Sequence, residues 1–413
     1  MADSLMSGFR ALDLTNERGY FCGKLLADMG VDTIKIENPG GDSGRNLPPF
    51  YHDRHEPEKS LYWLAYNTNK RGITLNLETS HGQELFKKLV KTTDFIVESF
   101  SPGYLAKLGL DYERLAKINP RVIMTSITPF GQSGPFADMK ASDLVVQAMG
   151  VLLRQAGDID RAPVRTSIYQ AYMHACAEAL EGTLIANYYR GESGEGQQVD
   201  VSIMESVLWI AGRAVPFWDC SKIEMKRSGG YWDRSGRRFP ALWECKDGFV
   251  AFLIQGSVTG DKTNKSLTEW MDSKGLAPAF MKERDWKSFD WNKSNQADFE
   301  AIAEAIGKFF KACTAQELED GAINRGMMLN KVCNSEDTLN SEQLKARDFW
   351  VNLKHDELGE TITYPGAFAK FSLTPIEIKQ RAPLIGEHNR EIYVKELGLS
   401  ESELNDLKTQ GII

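Results

Sequence analysis

Lys70 and Arg71, in Asn67-Thr-Asn-Lys-Arg-Gly, are adjacent cations ahead of an apolar run. Such a pair can meet phosphate groups, and it also suits a solvated turn. Asn38-Pro-Gly-Gly-Asp-Ser-Gly-Arg follows another apolar run. Its three glycines would let backbone approach a ligand closely, although the same composition marks an ordinary turn. His52 and His55 stand beside Asp53 and Glu56. A catalytic zinc needs three fixed protein ligands, and this charged, proline-flanked stretch has no distant partner motif. It reads as a solvated loop, and no metal is expected. His174 sits in Gln170-Ala-Tyr-Met-His-Ala-Cys-Ala-Glu, whose small residues suit close helix packing. It could titrate as a general base, but a satisfied core histidine is the plainer reading. No G-x-G-x-x-G, P-loop or G-x-S-x-G elbow occurs, so neither common nucleotide fingerprint nor the serine-hydrolase arrangement applies.

The elements that must position these residues alternate. Phe9–Leu14, Asp32–Glu37, Ile73–Leu77, Asp94–Phe100 and Val122–Ile127 read as strands. Helical stretches run from about Tyr20 to Met29, from Thr79 to Val90 with a capping residue at the start, and from Pro102 to Leu108. Alternation at this spacing predicts a parallel sheet with helices on both faces, whose ligands gather at the carboxyl ends of the strands. Ala141 to Tyr189 is long and helical, interrupted around Gly157–Pro163; Gln198–Ser202 is a further strand. Trp218 to Arg238 changes character, with three glycines and four arginines, and marks a boundary. Beyond it, Leu242–Leu253 reads as strand and turn, Lys282–Asn295 as a surface loop, and Asp298–Lys311 and Ala315–Arg325 as helices. The tail from Glu342 onwards is mixed and is expected to return to the first domain.

Composition narrows the class. With 413 residues, 42% hydrophobic and 26% charged, the chain can bury large cores without staples. Forty-nine basic against 57 acidic residues give a net charge of -8, which argues against a nucleic-acid partner. No apolar run approaches a membrane span; the stretch Trp209–Trp218 already holds Arg213 and Pro216. Met1-Ala-Asp-Ser lacks the basic and apolar regions of a signal peptide. The six cysteines, at 22, 176, 220, 245, 313 and 333, form no C-x-x-C and read as reduced thiols. The expectation is a large cytoplasmic α/β protein with no membrane contact.

Taken in order, several segments resemble the class III CoA-transferases, the family that includes formyl-CoA and carnitine CoA-transferases and the 2-methylacyl-CoA racemases. The likeness runs almost end to end. It is carried by Leu25-Leu-Ala-Asp-Met-Gly-Val-Asp-Thr-Ile-Lys-Ile-Glu-Asn-Pro-Gly-Gly-Asp, Asn67-Thr-Asn-Lys-Arg and Glu98-Ser-Phe-Ser-Pro-Gly-Tyr-Leu-Ala-Lys-Leu-Gly-Leu. Asn119-Pro-Arg-Val-Ile, Phe130-Gly-Gln-Ser-Gly-Pro, Asp143-Leu-Val-Val-Gln-Ala, Gly194-Glu-Gly-Gln-Gln-Val-Asp-Val-Ser and Pro383-Leu-Ile-Gly-Glu-His-Asn complete it. The resemblance implies a Rossmann-like, doubly wound large domain with a smaller α+β domain, in an interlaced dimer. The corresponding spans are 1–220 for the first part of the large domain, 230–330 for the small domain and 331–413 for the return segment. It also implies acyl-CoA thioesters as substrate and no permanently bound cofactor.

In that family an aspartate opening a helix attacks the thioester, forming an aspartyl anhydride and then an aspartyl-CoA thioester. Counting from Asp143 and from Gly196 places this aspartate at Tyr172, with Gln170 and His174 nearby and no carboxylate among them. A phenol of pKa ~10 cannot replace it at neutral pH. No catalytic residue is therefore expected in this chain. By the same resemblance Lys107 and Lys140 match phosphate-binding positions, and Leu75 and Ser99 match adenine-pocket segments. Asn38 stands where an arginine is common, Glu78 replaces a lysine, and Arg18 intrudes where small or apolar residues are usual. Ser228-Gly-Gly falls at the family's glycine loop, which would help stabilise charged intermediates.

One branch fits such a chain: heteromeric enzymes, the benzylsuccinate CoA-transferase type of anaerobic toluene breakdown among them, in which one of two related subunits carries the nucleophile. The implied partner is an aspartate-bearing homologue, and the implied reaction moves CoA from an acyl-CoA such as succinyl-CoA to a carboxylic acid. The alternatives are a non-catalytic acyl-CoA-binding or structural paralogue, and a racemase-like enzyme using His174 as base.

Overall fold

The computed structural model describes residues 4–234 and 236–413; the opening Met1-Ala-Asp lies outside them. The chain divides into two units, one of residues 1–152, 166–216 and 343–413, the other of 153–165 and 217–342.

The first unit is a mixed α/β layer structure. In chain order it contains β1 (Arg10–Leu14), α1 (Tyr20–Asp28), β2 (Asp32–Glu37), α2 (Leu61–Tyr66), β3 (Arg71–Thr74), α3 (Ser80–Val90), β4 (Phe95–Glu98), α4 (Tyr104–Lys107), α5 (Tyr112–Ile118) and β5 (Ile123–Thr128). Then come α6 (Asp143–Met149), α7 (Leu152–Gln155), which leads into the second unit, α8 (Gln170–Ser193), β6 (Gln198–Ser202) and α9 (Ile203–Ile210). The six strands form one parallel sheet in the order β3-β2-β1-β4-β5-β6, reversing direction of growth between β1 and β4.

Both faces of the sheet are covered, so strands β1 to β5 are buried along almost their whole length, while the edge strand β6 is partly exposed. Ala11, Phe95, Val97, Ile123, Ile127 and Val201 pack under α1, α8 and α9. Leu12, Leu14, Ile34, Ile36, Ile73 and Ile96 point the other way, against Leu85, Phe86 and Leu89 of α3 and Leu115 of α5. The alanines on the buried side of α8 (Ala171, Ala175, Ala179 and Ala186) let the helix lie close to β5, where the hydroxyls of Thr125 and Thr183 meet at 2.7 Å. Thr79 caps α3 by accepting the Gly82 N–H. The strand expected over Ile73–Leu77 sits earlier. After Thr74 the chain turns out of the ladder, and the Asn76 N–H goes to Ile412 near the C-terminus.

The second unit contains α10 (Ala214–Ser221), which enters it from the first, β7 (Tyr231–Arg234), β8 (Arg237–Pro240), β9 (Leu242–Glu244), β10 (Phe249–Phe252), α11 (Ser257–Ser273), α12 (Ala279–Lys282), α13 (Gln296–Ala312), α14 (Ala315–Arg325), β11 (Leu329–Lys331) and α15 (Ser335–Asn340). A three-stranded antiparallel sheet β11-β10-β9 packs on α11, α13 and α14. Lys282–Asn295 is not a mere surface loop: Trp286, Phe289 and Trp291 are buried in this core, while Lys287 and Ser288 between them are exposed. Residues 153–165, which the sequence division left in the large domain, cluster here because Arg227 donates to the Asp158 and Arg161 carbonyls.

The remaining segment, from α16 (Glu342–Ala346), adds the hairpin β12 (Trp350–His355) and β13 (Glu360–Pro365), a π-helical stretch Arg390–Glu396 and α17 (Glu401–Thr409) to the first unit. Leu404 and Leu407 of α17 complete the core beneath α3 and α5.

Candidate functional site

At the point where the strand order reverses, a cavity of about 220 Å³ opens at the carboxyl ends of β1, β2, β3 and β4. Open parallel sheets bind ligands in such crevices. Leu14 and Asn16 line it after β1, Asn38, Asp42 and Ser43 after β2, Leu75 and Leu77 after β3, and Ser99, Phe100 and Tyr104 after β4. Three residues proposed from sequence, Asn38, Leu75 and Ser99, thus meet in one cavity. Leu75 and Ser99 are buried and Asn38 is exposed at the rim. Lys107 ends α4, the helix that begins at Tyr104, and is exposed; Lys140 is exposed on the segment before α6.

The loop between β1 and α1 connects this cavity to the start of α8. The Asn16 N–H donates to Ser99 Oγ at 2.9 Å, and Asn16 Oδ1 accepts from Ser99 Oγ at 3.0 Å and from the Arg18 N–H at 3.1 Å. Cys176 Sγ, on α8, donates to the Arg18 carbonyl at 3.1 Å. Asn16 therefore fixes both the cavity wall and Arg18. No motif pointed to Asn16, because its role comes entirely from two long-range hydrogen bonds.

Tyr172 lies in the first turn of α8, 4% exposed. Burial pushes its phenol above the ordinary value, and the nearby Arg18 guanidinium opposes that shift. Of the carboxylates close to Tyr172 in sequence or space, Glu17 is half-buried beside the ring, while Asp143 and Glu178 are occupied. Asp143 Oδ1 accepts the Ala171 N–H at 3.0 Å, capping α8 from α6, while its other oxygen accepts from Gln147. The Glu178 carboxylate accepts from Ser206 Oγ of α9. Gln170 and His174 are half-buried, and among the described residues no acid hydrogen-bonds to His174.

Beneath the cavity, the cations Lys70 and Arg71 are not available to phosphate. Lys70 is buried, and Nζ spends its three protons on Asp13 Oδ2 (2.7 Å), the Tyr20 carbonyl (2.9 Å) and Asn67 Oδ1 (2.8 Å). Arg71 is tied to Asp32, Glu391 and Glu396. Sequence pattern shows adjacent cations but not the carboxylates that the fold brings to them. Burial alone would raise the Asp13 carboxyl, but Lys70 and Lys35 outweigh it and hold it below its ordinary value. Glu37, a further cavity residue, is bridged by Arg45, which also stacks on Trp63 at 3.8 Å.

A second cavity, of about 490 Å³, lies beside the first at the ends of β4 and β5, with Glu98, Ser126, Gln132 and Gln198 in its lining. Burial lifts the Glu98 carboxyl to about 7, against the opposing Ser126 hydroxyl and Phe100 N–H. In the second unit, Gly229 has φ +57° and a Cβ there would stand 1.9 Å from Asp158 Oδ1, so glycine is required in the Ser228-Gly-Gly turn. His52 and His55 are exposed, and no cluster that could hold a metal occurs among the described residues. No helix among them is long and apolar enough to cross a membrane.

Comparison with known proteins places these features in a family. The description of CoA-transferase family III matches residues 6–389. The chain is 34% identical over 419 residues to the succinyl-CoA:(R)-benzylsuccinate CoA-transferase subunit BbsE of Thauera aromatica, covering 98% of each chain. It is 31% identical to the succinyl-CoA–D-citramalate CoA-transferase of Chloroflexus aurantiacus, over 96% of this chain and 94% of that one. To the succinyl-CoA–L-malate CoA-transferase beta subunit of the same organism it is 29% identical, over 99% and 98%. Among solved structures, a CAIB/BAIF family protein from Brucella suis shares the fold with a TM-score of 0.82 at 24% identity, over 95% of this chain and 99% of that one.

Proposed function

The chain belongs to CoA-transferase family III, and we propose that within it this protein is the nucleophile-lacking subunit of a heteromeric transferase. In this reading it pairs with an aspartate-bearing homologue in an interlaced, cytoplasmic dimer of Rossmann-like subunits. The pair moves CoA from succinyl-CoA to an aromatic-substituted dicarboxylate of the benzylsuccinate kind. The observation that carries the proposal is Tyr172: the helix start where the resemblance puts the attacking carboxylate holds a buried phenol, and its neighbours Asp143 and Glu178 are both engaged. A neutral phenol, raised further by burial, is a poor nucleophile toward a thioester.

The nucleotide side of the reading rests on the cavity at the strand-order reversal. Leu75 and the Ser99–Phe100 backbone offer the flat apolar wall and polar edges that an adenine needs, and the volume suits a nucleoside. Lys107 and Lys140 would meet the phosphates as they leave the cavity, and Asn38 supplies a neutral rim where a cation is commoner. CoA thioesters act here as substrates; no resident cofactor enters the reading. The naming of two relatives as subunits supports the heteromeric assembly.

The test is the mass and composition of the native complex recovered through a tag on this chain. A stoichiometric, similar-sized homologue carrying the family aspartate, with transferase activity in the pair alone, is the expected result. A homodimer that transfers CoA would overturn the proposal. CoA binding with no active partner would favour a non-catalytic paralogue.

A further inference from the structure

Arg18 differs from the other partly or fully buried cations around the sheet. Arg10, Arg45, Arg71, Arg190, Lys35 and Lys70 each have a carboxylate within ion-pair distance. Among the described residues none lies within that distance of the Arg18 guanidinium. Its Nη2 reaches only the Ala141 carbonyl at 3.5 Å, the guanidinium lies near enough to the Tyr172 phenol to oppose the upward shift of its pKa, and its Nε is buried without a hydrogen-bond partner. Arg18 is half-buried and its Nε fully so; buried polar groups are normally paired, and a guanidinium left without a carboxylate points to a ligand. The backbone of Arg18 is meanwhile clamped from two sides, by Asn16 and Cys176, so the start of the side chain is fixed beside α8.

A second orphan lies in the same neighbourhood. Tyr62 packs against Tyr66 at 4.8 Å and Tyr169 at 5.9 Å, and Tyr169 against Tyr172 at 5.5 Å. These rings are only partly buried, apart from Tyr172, yet the Tyr62 hydroxyl is buried without a partner. Asp143, which caps the helix start, already holds the Ala171 N–H and Gln147; Glu17, half-buried beside Tyr172, makes no ion pair with Arg18.

We propose that Arg18 and Tyr172, walled by Tyr62, Tyr66 and Tyr169, form a binding subsite for the free carboxylate of a dicarboxylic acyl thioester. This deepens the functional reading and rests on it, since the CoA portion is taken to lie in the cavity that Asn16 joins to Arg18. The subsite inverts the charge of the position: the resemblance puts an attacking carboxylate there, and this chain offers a cation and a phenol that receive one. Arg18 binds here and carries out no chemical step.

The test uses two non-reactive thioethers of equal length, S-(3-carboxypropyl)-CoA and S-butyl-CoA, titrated calorimetrically into the full-length chain. A charge-assisted hydrogen bond from an otherwise unpaired guanidinium predicts that the carboxylated probe binds about 10- to 100-fold tighter. Arg18→Gln should abolish that preference while leaving S-butyl-CoA affinity within about twofold, and Tyr172→Phe should reduce it by about tenfold. Equal binding of both probes to the wild-type chain overturns the subsite and leaves the CoA reading standing. Equal weakening of both probes by Arg18→Gln makes the residue structural and likewise overturns it. Failure of both probes to bind overturns the CoA reading and the subsite together.

Discussion

Replacing Lys70 by methionine should be among the most damaging single substitutions in the first unit. Lys70 and Asp13 are both fully buried, with Nζ 2.7 Å from Oδ2. Three acceptors depend on that ammonium: Asp13, the Tyr20 carbonyl and the Asn67 carboxamide. Lys35 remains, but its Nζ is 3.8 Å from Asp13 Oδ1 and is already bonded to the Thr15 carbonyl. Methionine fills the space and leaves a buried carboxylate with one distant cation, together with two orphaned acceptors. Removing one member of a buried pair costs about 3–5 kcal/mol, which for a unit of this size lowers Tm by about 10 °C. Thermal unfolding followed by tryptophan fluorescence reads the change. Asp13→Leu combined with Lys70→Met removes both charges and should recover at least about half the loss, because the desolvation cost disappears with the pair. A Lys70→Met loss below about 1 kcal/mol, or a double variant worse than the single, would refute the reasoning.

Gly23→Ala strikes the same network from α1: its Cβ would stand 2.1 Å from Asp13 Oδ2, and a loss of about 2 kcal/mol in chemical denaturation is expected. Glu98 makes stability depend on pH. Its carboxyl rises from the ordinary 4.5 to about 7 on folding, so between those values the folded chain holds a proton that the unfolded chain has released. Stability therefore falls as pH rises across that window, by about 3 kcal/mol in all. Glu98→Gln should flatten that part of the profile, and unfolding curves at a series of pH values check it. Asn38→Arg places a cation at the cavity rim and should tighten CoA binding about fivefold at low ionic strength, with the gain shrinking as salt is added; calorimetry at two salt concentrations decides.

Much of the fold is legible where local pattern and burial coincide. β2 and β6 are visible from their alternating branched residues, Ile34 and Ile36 in one and Val199 and Val201 in the other, and the Thr79 cap marks α3 from its side chain alone. The pattern misleads where tertiary partners decide. Lys70 and Arg71 look like phosphate ligands because Asp13, Asp32 and Glu391 lie 57, 39 and 320 residues away. Trp286, Phe289 and Trp291 are spaced among charges that suggest surface, and only the core of the second unit explains them. The hairpin of β12 and β13 is closed around His355, which bonds Glu357 at 2.8 Å and the Tyr364 hydroxyl at 2.9 Å, a contact no spacing announces. At the site, the family resemblance singles out Asn38, Leu75 and Ser99, whereas Asn16 emerges only once β1 and β4 are adjacent. Arg18 is conspicuous in sequence as a charge among small residues; its lack of a counterion is a property of the folded chain.

The central claim, that this subunit carries no covalent nucleophile, is tested most directly by trapping. The purified complex would be incubated with succinyl-CoA, quenched with hydroxylamine or borohydride, and both chains mapped by mass spectrometry for a modified carboxylate. The account predicts that the label falls on an aspartate of the partner and that peptides of this chain spanning Glu17, Glu98, Asp143 and Gln170–Glu178 come through unmodified. A hydroxamate or reduced carboxylate on any of those residues of this chain would contradict it.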